Sequence, residues 1–173
     1  MKSDTSSDRS DDDDDSVDSG TDAISLLTSD HLEVAEMFAE YEALVSDDAS
    51  GEERAAVVRR FCQALTAHAA VEEEIFYPAA REALGDDDMI DEAVAEHASV
   101  KELILQIQAM DPSDALYDAT VRMLQESVDA HVDEEEGELF PRLQDSKLDL
   151  EELGERMAQR KEEALASLEA EES

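Results

Sequence analysis

Four separate stretches of this chain carry apolar side chains at alternating steps of three and four residues, and each stretch holds one of the chain's four histidines on the stripe itself. Steps of that size bring side chains onto one face of a helix with about 3.6 residues per turn. The stripes read Ile24, Leu27, His31, Val34, Phe38, Tyr41, Val45; Val58, Phe61, Leu65, His68, Glu72, Ile75, Ala79; Ile90, Ala93, His97, Val100, Ile104, Ile107; and Leu116, Met123 or Leu124, Val128, His131, Glu135, Leu139, Leu143. Four such faces find cover by packing on one another, so the expected fold is all-α: an up-down antiparallel four-helix bundle. Five glycines and three prolines leave little material for hairpins, which agrees.

Punctuation between the stripes sets the expected boundaries. The first helix should run from about Thr21 to Ser46, and Ser50 with Glu53 three residues later makes a capping box for the second. Gly85 should end that helix, with Pro78 bending its last turns, while Pro112 and Ser113 should open the fourth. Measured from those ends, His31 and His68 stand within ~3 Å of one level, but His97 and His131 differ by ~7.5 Å at 1.5 Å rise per residue. Residues 1–20 combine Asp and Ser without an apolar pattern and are expected to be a disordered acidic tail, leaving 21–146 as the bundle. Residues 147–173 carry Leu150, Leu153, Met157, Ala164 and Leu168 and are expected to form a further C-terminal helix, packed on the bundle or at a dimer contact.

Charge excludes several classes of partner. A formal net charge of -36 repels nucleic-acid phosphates and anionic lipid, and no basic cluster offsets it. No apolar run is long enough to cross a bilayer, and the amino terminus lacks the hydrophobic stretch of a signal peptide, so a cytoplasmic location is expected. The single cysteine, Cys62, has no internal partner for a disulfide and reads as a small buried side chain. The acidic excess resembles that of proteins from salt-in halophiles, where ionic strength screens self-repulsion.

An internal repeat organises the candidate chemistry. HAAVEEEIFYP from His68 and HVDEEEGELFP from His131 share the distance from histidine to proline, and an acid precedes each of the other two histidines, His31 and His97. The repeating unit is thus a helical hairpin used twice. In each copy the glutamate four residues beyond the histidine lies on the same face, so His68 with Glu72 and His131 with Glu135 make inward-pointing clamps. Two buried carboxylates need a counter-charge. No lysine or arginine lies on the facing seams, since Lys101 is one step off the stripe of His97, and a metal cation is the simplest solution. Imidazole with carboxylate and no thiolate suits iron, manganese or zinc, and two bridging carboxylates favour a dinuclear centre. Glu136 competes with Glu135 as the inward acid if the turn before Pro141 is distorted. Tyr41, Phe76, Tyr77 and Phe140 read first as packing around the seam, with screening of the centre from water or stabilising a bound oxidant as the alternative role.

Taken together, DAISLLTSDH around His31, HAAVEEEIFYP, EHASV around His97 and HVDEEEGELFP resemble the hemerythrins, in particular the HHE cation-binding domain, over about Asp22 to Arg142. The resemblance implies a di-iron centre in which His31 and His68 hold one ion, His97 and His131 the other, and Glu72 and Glu135 bridge them. It implies dioxygen or a related small oxidant as ligand. The oxygen-carrying members have two histidines four apart on the third helix, whereas Ala93 and Lys101 flank His97 here. One nitrogen donor is therefore missing, and Glu73, Glu96, Glu134 or Glu136 is a possible oxygen in its place.

Three functions follow from these features. The first is a di-iron protein that binds or senses a small oxidant or handles iron without turning over an organic substrate. An enzyme consuming peroxide or nitric oxide at the same metals is the second. A metal-free helical interaction module with pH-responsive histidines is the third.

Overall fold

The computed structural model describes residues 22–172, so the expected acidic tail lies outside them. The chain is all-helical. Helix α1 spans Ala23–Ser46 and α2 spans Gly51–Val71; α2 runs through a π turn, Glu72–Phe76, into α3, Tyr77–Leu84. Helix α4 spans Asp87–Ala109, and α5, Tyr117–Glu134, runs through a second π turn, Glu135–Leu139, into α6, Phe140–Gln144. Helix α7 spans Leu150–Glu172. Helices α1 and α2 pack as one hairpin and α4 and α5 as the other, and α7 lies along α1 and α2 of its own chain.

Local chemistry fixes most of the boundaries. Asp22 caps α1 through the Ser25 amide at 2.8 Å, and Ser50 and Glu53 exchange the two hydrogen bonds of a capping box at the start of α2. Gly85 closes α3 at φ 64°, a left-handed conformation open to a residue without Cβ. The fourth helix differs from expectation. Residues 112–116 form turns, α5 begins at Tyr117, and Leu116 is exposed, as is Met123, whereas Leu124 is fully buried. Asp111 accepts from the Ser113 amide and hydroxyl, and Asp114 from the Leu116 amide, so local side-chain bonds outcompete the helix there. The later start also removes the level mismatch. His97 stands 12 residues before Ala109 and His131 14 after Tyr117, an offset of about 3 Å at the α-helical rise.

The bend expected at Pro78 takes a more specific form. A proline lacks its amide hydrogen and crowds the carbonyl four residues back, which opens the preceding turn. In the first repeat the Tyr77 amide bonds to the Glu72 carbonyl, and in the second the Phe140 amide bonds to the Glu135 carbonyl, each reaching five residues back. Pro78 and Pro141 each follow at once. In an α-helix a residue five positions on would point about 140° away at 100° per residue. The wider π turn brings it back over its glutamate.

Two apolar clusters sandwich the polar seam. One contains Val34, Phe38, Phe61, Leu65, Ile104, Leu124 and Val128; the other contains Leu27, Val71, Phe76, Ile90, Leu143 and, from α7, Leu153 and Met157. The four histidines and two glutamates lie between them. No helix among the described residues is long and apolar enough to cross a membrane.

Candidate metal centre

All six side chains singled out by the spacing come together. His31, His68, His97 and His131 are each at most 9 % exposed, Glu72 is 0 % and Glu135 3 %. They fall into two triads of mutually close ligand atoms: His31, His68 and Glu135, and Glu72, His97 and His131. Each carboxylate faces one histidine of either triad. Glu72 Oε1 lies 2.7 Å from His68 Nε2 and 3.2 Å from His97 Nε2. Glu135 Oε1 lies 3.2 Å from His31 Nε2, and its Oε2 lies 3.2 Å from His131 Nε2.

Behind the rings stand four acids. Asp30 is 2.8 Å from His68 Nδ1, Glu96 3.1 Å from His131 Nδ1, and Glu136 3.2 Å from His31 Nδ1. A carboxylate can only accept, so these Nδ1 atoms carry the hydrogen and the Nε2 lone pairs point into the seam. Glu73 stands 3.6 Å from His97 Nδ1, beyond a direct hydrogen bond, and pairs with Lys101 at 2.7 Å. Glu73, Glu96 and Glu136 thus lie outside the ring of histidines. Glu135, not Glu136, is the inward acid of the second repeat. Glu134 is exposed and makes, with Glu92 and Glu96, an acidic surface group behind His131.

Tyr77, for which packing was the favoured reading beside a role at the centre, reaches the polar seam itself. Its hydroxyl donates to Glu135 Oε2 at 2.8 Å and lies 3.1 Å from His97 Nε2 and 3.2 Å from His131 Nε2. Its signal was present in the sequence: Tyr-Pro follows Glu72 by five residues, and the proline opens the turn that swings the ring inward. At the equivalent place in the other copy, Phe140 stacks on His31, with centroids 6.0 Å apart and planes 4° from parallel.

The electrostatics call for positive charge in the middle. Burial alone would lower the His68 pKa, but the charge of Glu72 close beside it and the hydrogen bond with Asp30 outweigh it and hold the ring well above the imidazole range. His131 is likewise pushed up to about 9, burial opposing and Glu135 prevailing. Burial would raise Glu72, yet the charge of His68 close beside it draws it well below the carboxylate range. For Tyr77, burial leads and the Glu72 and Glu135 charges add to it, so the phenol stays protonated.

Protons satisfy this seam only in part. His31 Nε2, His68 Nε2, both Glu72 oxygens and Glu135 Oε1 are buried without a hydrogen-bond partner, the 2.7 Å approach of His68 to Glu72 being close without the alignment of a bond. His97 Nε2 and His131 Nε2 face each other at 3.1 Å, a separation that needs a proton or a cation between two lone pairs. Unpartnered buried donors and acceptors of this number are costly in a native core. Nitrogen and carboxylate oxygen atoms aimed at two common points fit a pair of metal ions.

Above the histidines, Val34, Leu65, Val100, Val128 and Val132 close a mostly apolar cavity of about 30 Å³ whose floor is the four rings. That is room for a ligand of one or two heavy atoms.

Comparison with known proteins agrees with this geometry. The family model of the hemerythrin HHE cation binding domain matches residues 22–143. Among solved structures, a hemerythrin HHE cation binding domain-containing protein from Mycobacterium kansasii superposes with a TM-score of 0.71 at 28 % identity, covering 84 % of this chain and 88 % of that one. A DNA nickase from Nostoc sp. is 42 % identical over 76 residues, which is 44 % of this chain and only 21 % of that protein. The chain belongs to the hemerythrin HHE cation-binding domain family.

Proposed function

We propose that this protein is a non-haem di-iron protein that binds or senses dioxygen or a related small oxidant, or handles iron, without turning over an organic substrate. His31 and His68 would hold one ion and His97 and His131 the other, with Glu72 and Glu135 as the carboxylate donors to the pair. The observation that carries this reading is that each buried carboxylate faces a histidine of both triads. A carboxylate placed so could serve two cations held side by side, and its charge would help to offset theirs. Iron supplies redox change and an open coordination position for a small oxidant; manganese and zinc fit the same donors but zinc lacks the redox change.

The chain's own residues do the rest. Asp30, Glu96 and Glu136 fix the tautomer of their histidines and make the rings stronger donors. Tyr77 holds a hydrogen on its oxygen beside Glu135, in the half of the centre where the third helix offers one histidine. The valine-lined cavity has room for a diatomic molecule and is too small for a metabolite. Acidic surface and small cavity both argue against an act on DNA by this chain, whatever the Nostoc relative does.

Metal analysis of protein produced with iron tests the reading. Two iron ions per chain and ligand-to-metal charge-transfer bands in the near ultraviolet are expected, and turnover of peroxide beyond a stoichiometric reaction is not. Absence of both stoichiometric metal and such bands would sink it.

A further inference from the structure

Helix α7 reaches the back of the proposed centre through two consecutive cations. Lys161 Nζ lies 2.5 Å from Asp30 Oδ1, while Asp30 Oδ2 lies 2.8 Å from His68 Nδ1. Arg160 grips Glu74 on the first π turn through Nε at 2.5 Å and Nη2 at 3.3 Å. Only 13 of the 173 residues are lysine or arginine, so two of them side by side against the first repeat is a large share of the chain's positive charge.

The four acids behind the histidines are not equivalent. Among the described residues no lysine or arginine pairs with Glu96 or Glu136. Glu73 has Lys101, but that lysine is 51 % exposed and its charge is largely screened by water. The Asp30 side chain is 7 % exposed and Lys161 29 %, so theirs is the one such pair set mostly out of solvent. A carboxylate behind a ligating imidazole strengthens it by drawing on the Nδ1 hydrogen. Lys161 shares that carboxylate from behind and offsets part of the negative charge it presents to His68.

Resting on the di-metal reading above, we propose that Lys161 is a positioning residue which acts through Asp30 to weaken the hold of His68 on its ion. A docked α7 therefore keeps the affinity of that half of the centre down. The alternative is a strut: Lys161 ties α7 to the bundle and touches the metal only by keeping the fold intact. The two differ in sign. Loss of a strut lowers fold stability and metal affinity together. Loss of a charge that opposes the metal lowers the stability of the metal-free protein, because Asp30 is left buried with one partner fewer, and raises the affinity.

Lys161→Met keeps the apolar stem and removes the charge, Lys161→Arg keeps the charge, and Lys161→Gln keeps a donor for Asp30 without charge. Each full-length variant, stripped of metal, is melted and then titrated with zinc(II) against a chromophoric chelator. For Lys161→Met the metal-free melting temperature should fall while zinc(II) binds about tenfold tighter, the low end of the range for changes behind a metal ligand. Lys161→Gln should tighten binding in the same direction even if the methionine variant is too loose to titrate, and Lys161→Arg should match the parent. Equal or weaker binding in both neutral variants overturns the proposal and leaves the centre standing. A parent protein that binds neither zinc(II) nor iron brings down the centre and this proposal with it.

Discussion

Tyr77 and Phe140 occupy equivalent places in the two repeats, each five residues beyond its inward glutamate at the exit of a π turn, and they differ by one oxygen atom. That atom breaks the pseudo-symmetry of the centre. One half is floored by a phenol hydroxyl 2.8 Å from Glu135, the other by a phenyl ring stacked on His31. The half that holds the hydroxyl is also the half whose third-helix neighbours, Ala93 and Lys101, provide no second imidazole.

Tyr77→Phe is therefore expected to act mainly on the metal-free protein. Without the hydroxyl, Glu135 Oε2 loses its one well-formed hydrogen bond in a buried site, a loss of roughly 1–3 kcal/mol. In the loaded protein the ions satisfy Glu135 instead, so the loss should be smaller. Denaturant unfolding of both forms measures the difference, and an equal loss in each would show that the hydroxyl serves packing alone.

Neutralising a bridge should remove metal without unfolding the chain. Glu72→Gln keeps shape and takes away the negative charge that both His68 and His97 face. Metal content is expected to fall from two ions to at most one per chain, with helix content retained by the apolar clusters on either side. Glu33→Gln, an exposed position on α1, should keep two. Metal analysis with circular dichroism decides it; a Glu72→Gln protein that still holds two ions would exclude Glu72 as a bridge.

The helical seams and all six inward side chains were legible because period and burial speak directly: a histidine where leucine is usual is visible in the sequence. Less legible was anything that depends on the course of the backbone between seams. Pro78 and Pro141 announced a distortion, but only the structure shows it as a π turn that carries Tyr77 into the seam and seats Glu135, rather than Glu136, inside. The start of α5 was misplaced because Pro112 is as good an opener as any, while the Asp111 and Asp114 side-chain bonds that hold residues 112–116 in turns have no periodic signature. Lys161 was invisible for a different reason: its partner Asp30 is 131 residues away.

Salt should stabilise the fold. The chain has 49 acidic and 13 basic side chains, so self-repulsion is the dominant long-range term. Exposed pairs such as Arg60 with Glu40 and Arg142 with Asp86 will weaken as salt rises, but each contributes at most about 1 kcal/mol. Screening shortens from ~8 Å near physiological ionic strength to ~3 Å at 1 M, which quiets most acid-to-acid repulsion. The metal-free melting temperature is expected to climb steadily with potassium chloride into the molar range; a flat or falling series would show that surface pairs outweigh repulsion.

The pH dependence should differ between the metal-free and loaded forms. His68 lies well above the ordinary imidazole value of 6.5 and His131 at about 9, in each case because buried glutamates favour the protonated ring over the opposing effect of burial. A group raised on folding contributes stability that is fully present below its unfolded value and is lost as pH rises through its folded value. Metal-free protein should thus lose stability between about pH 6.5 and 9. Glu72 and Asp30, held low by His68 against burial, give the opposite limb: their contribution is present above the carboxylate range and disappears in acid as pH falls through their lowered values. Metal ions take the places of the histidine protons, so binding releases them, and affinity should rise across the same window in which the metal-free fold weakens. Calorimetric melts of both forms at about pH 6, 7.5 and 9 should show the two curves diverging as pH increases. If the metal-free protein instead gains stability toward pH 9, the buried imidazoles are neutral and the pairing argued for the seam is wrong.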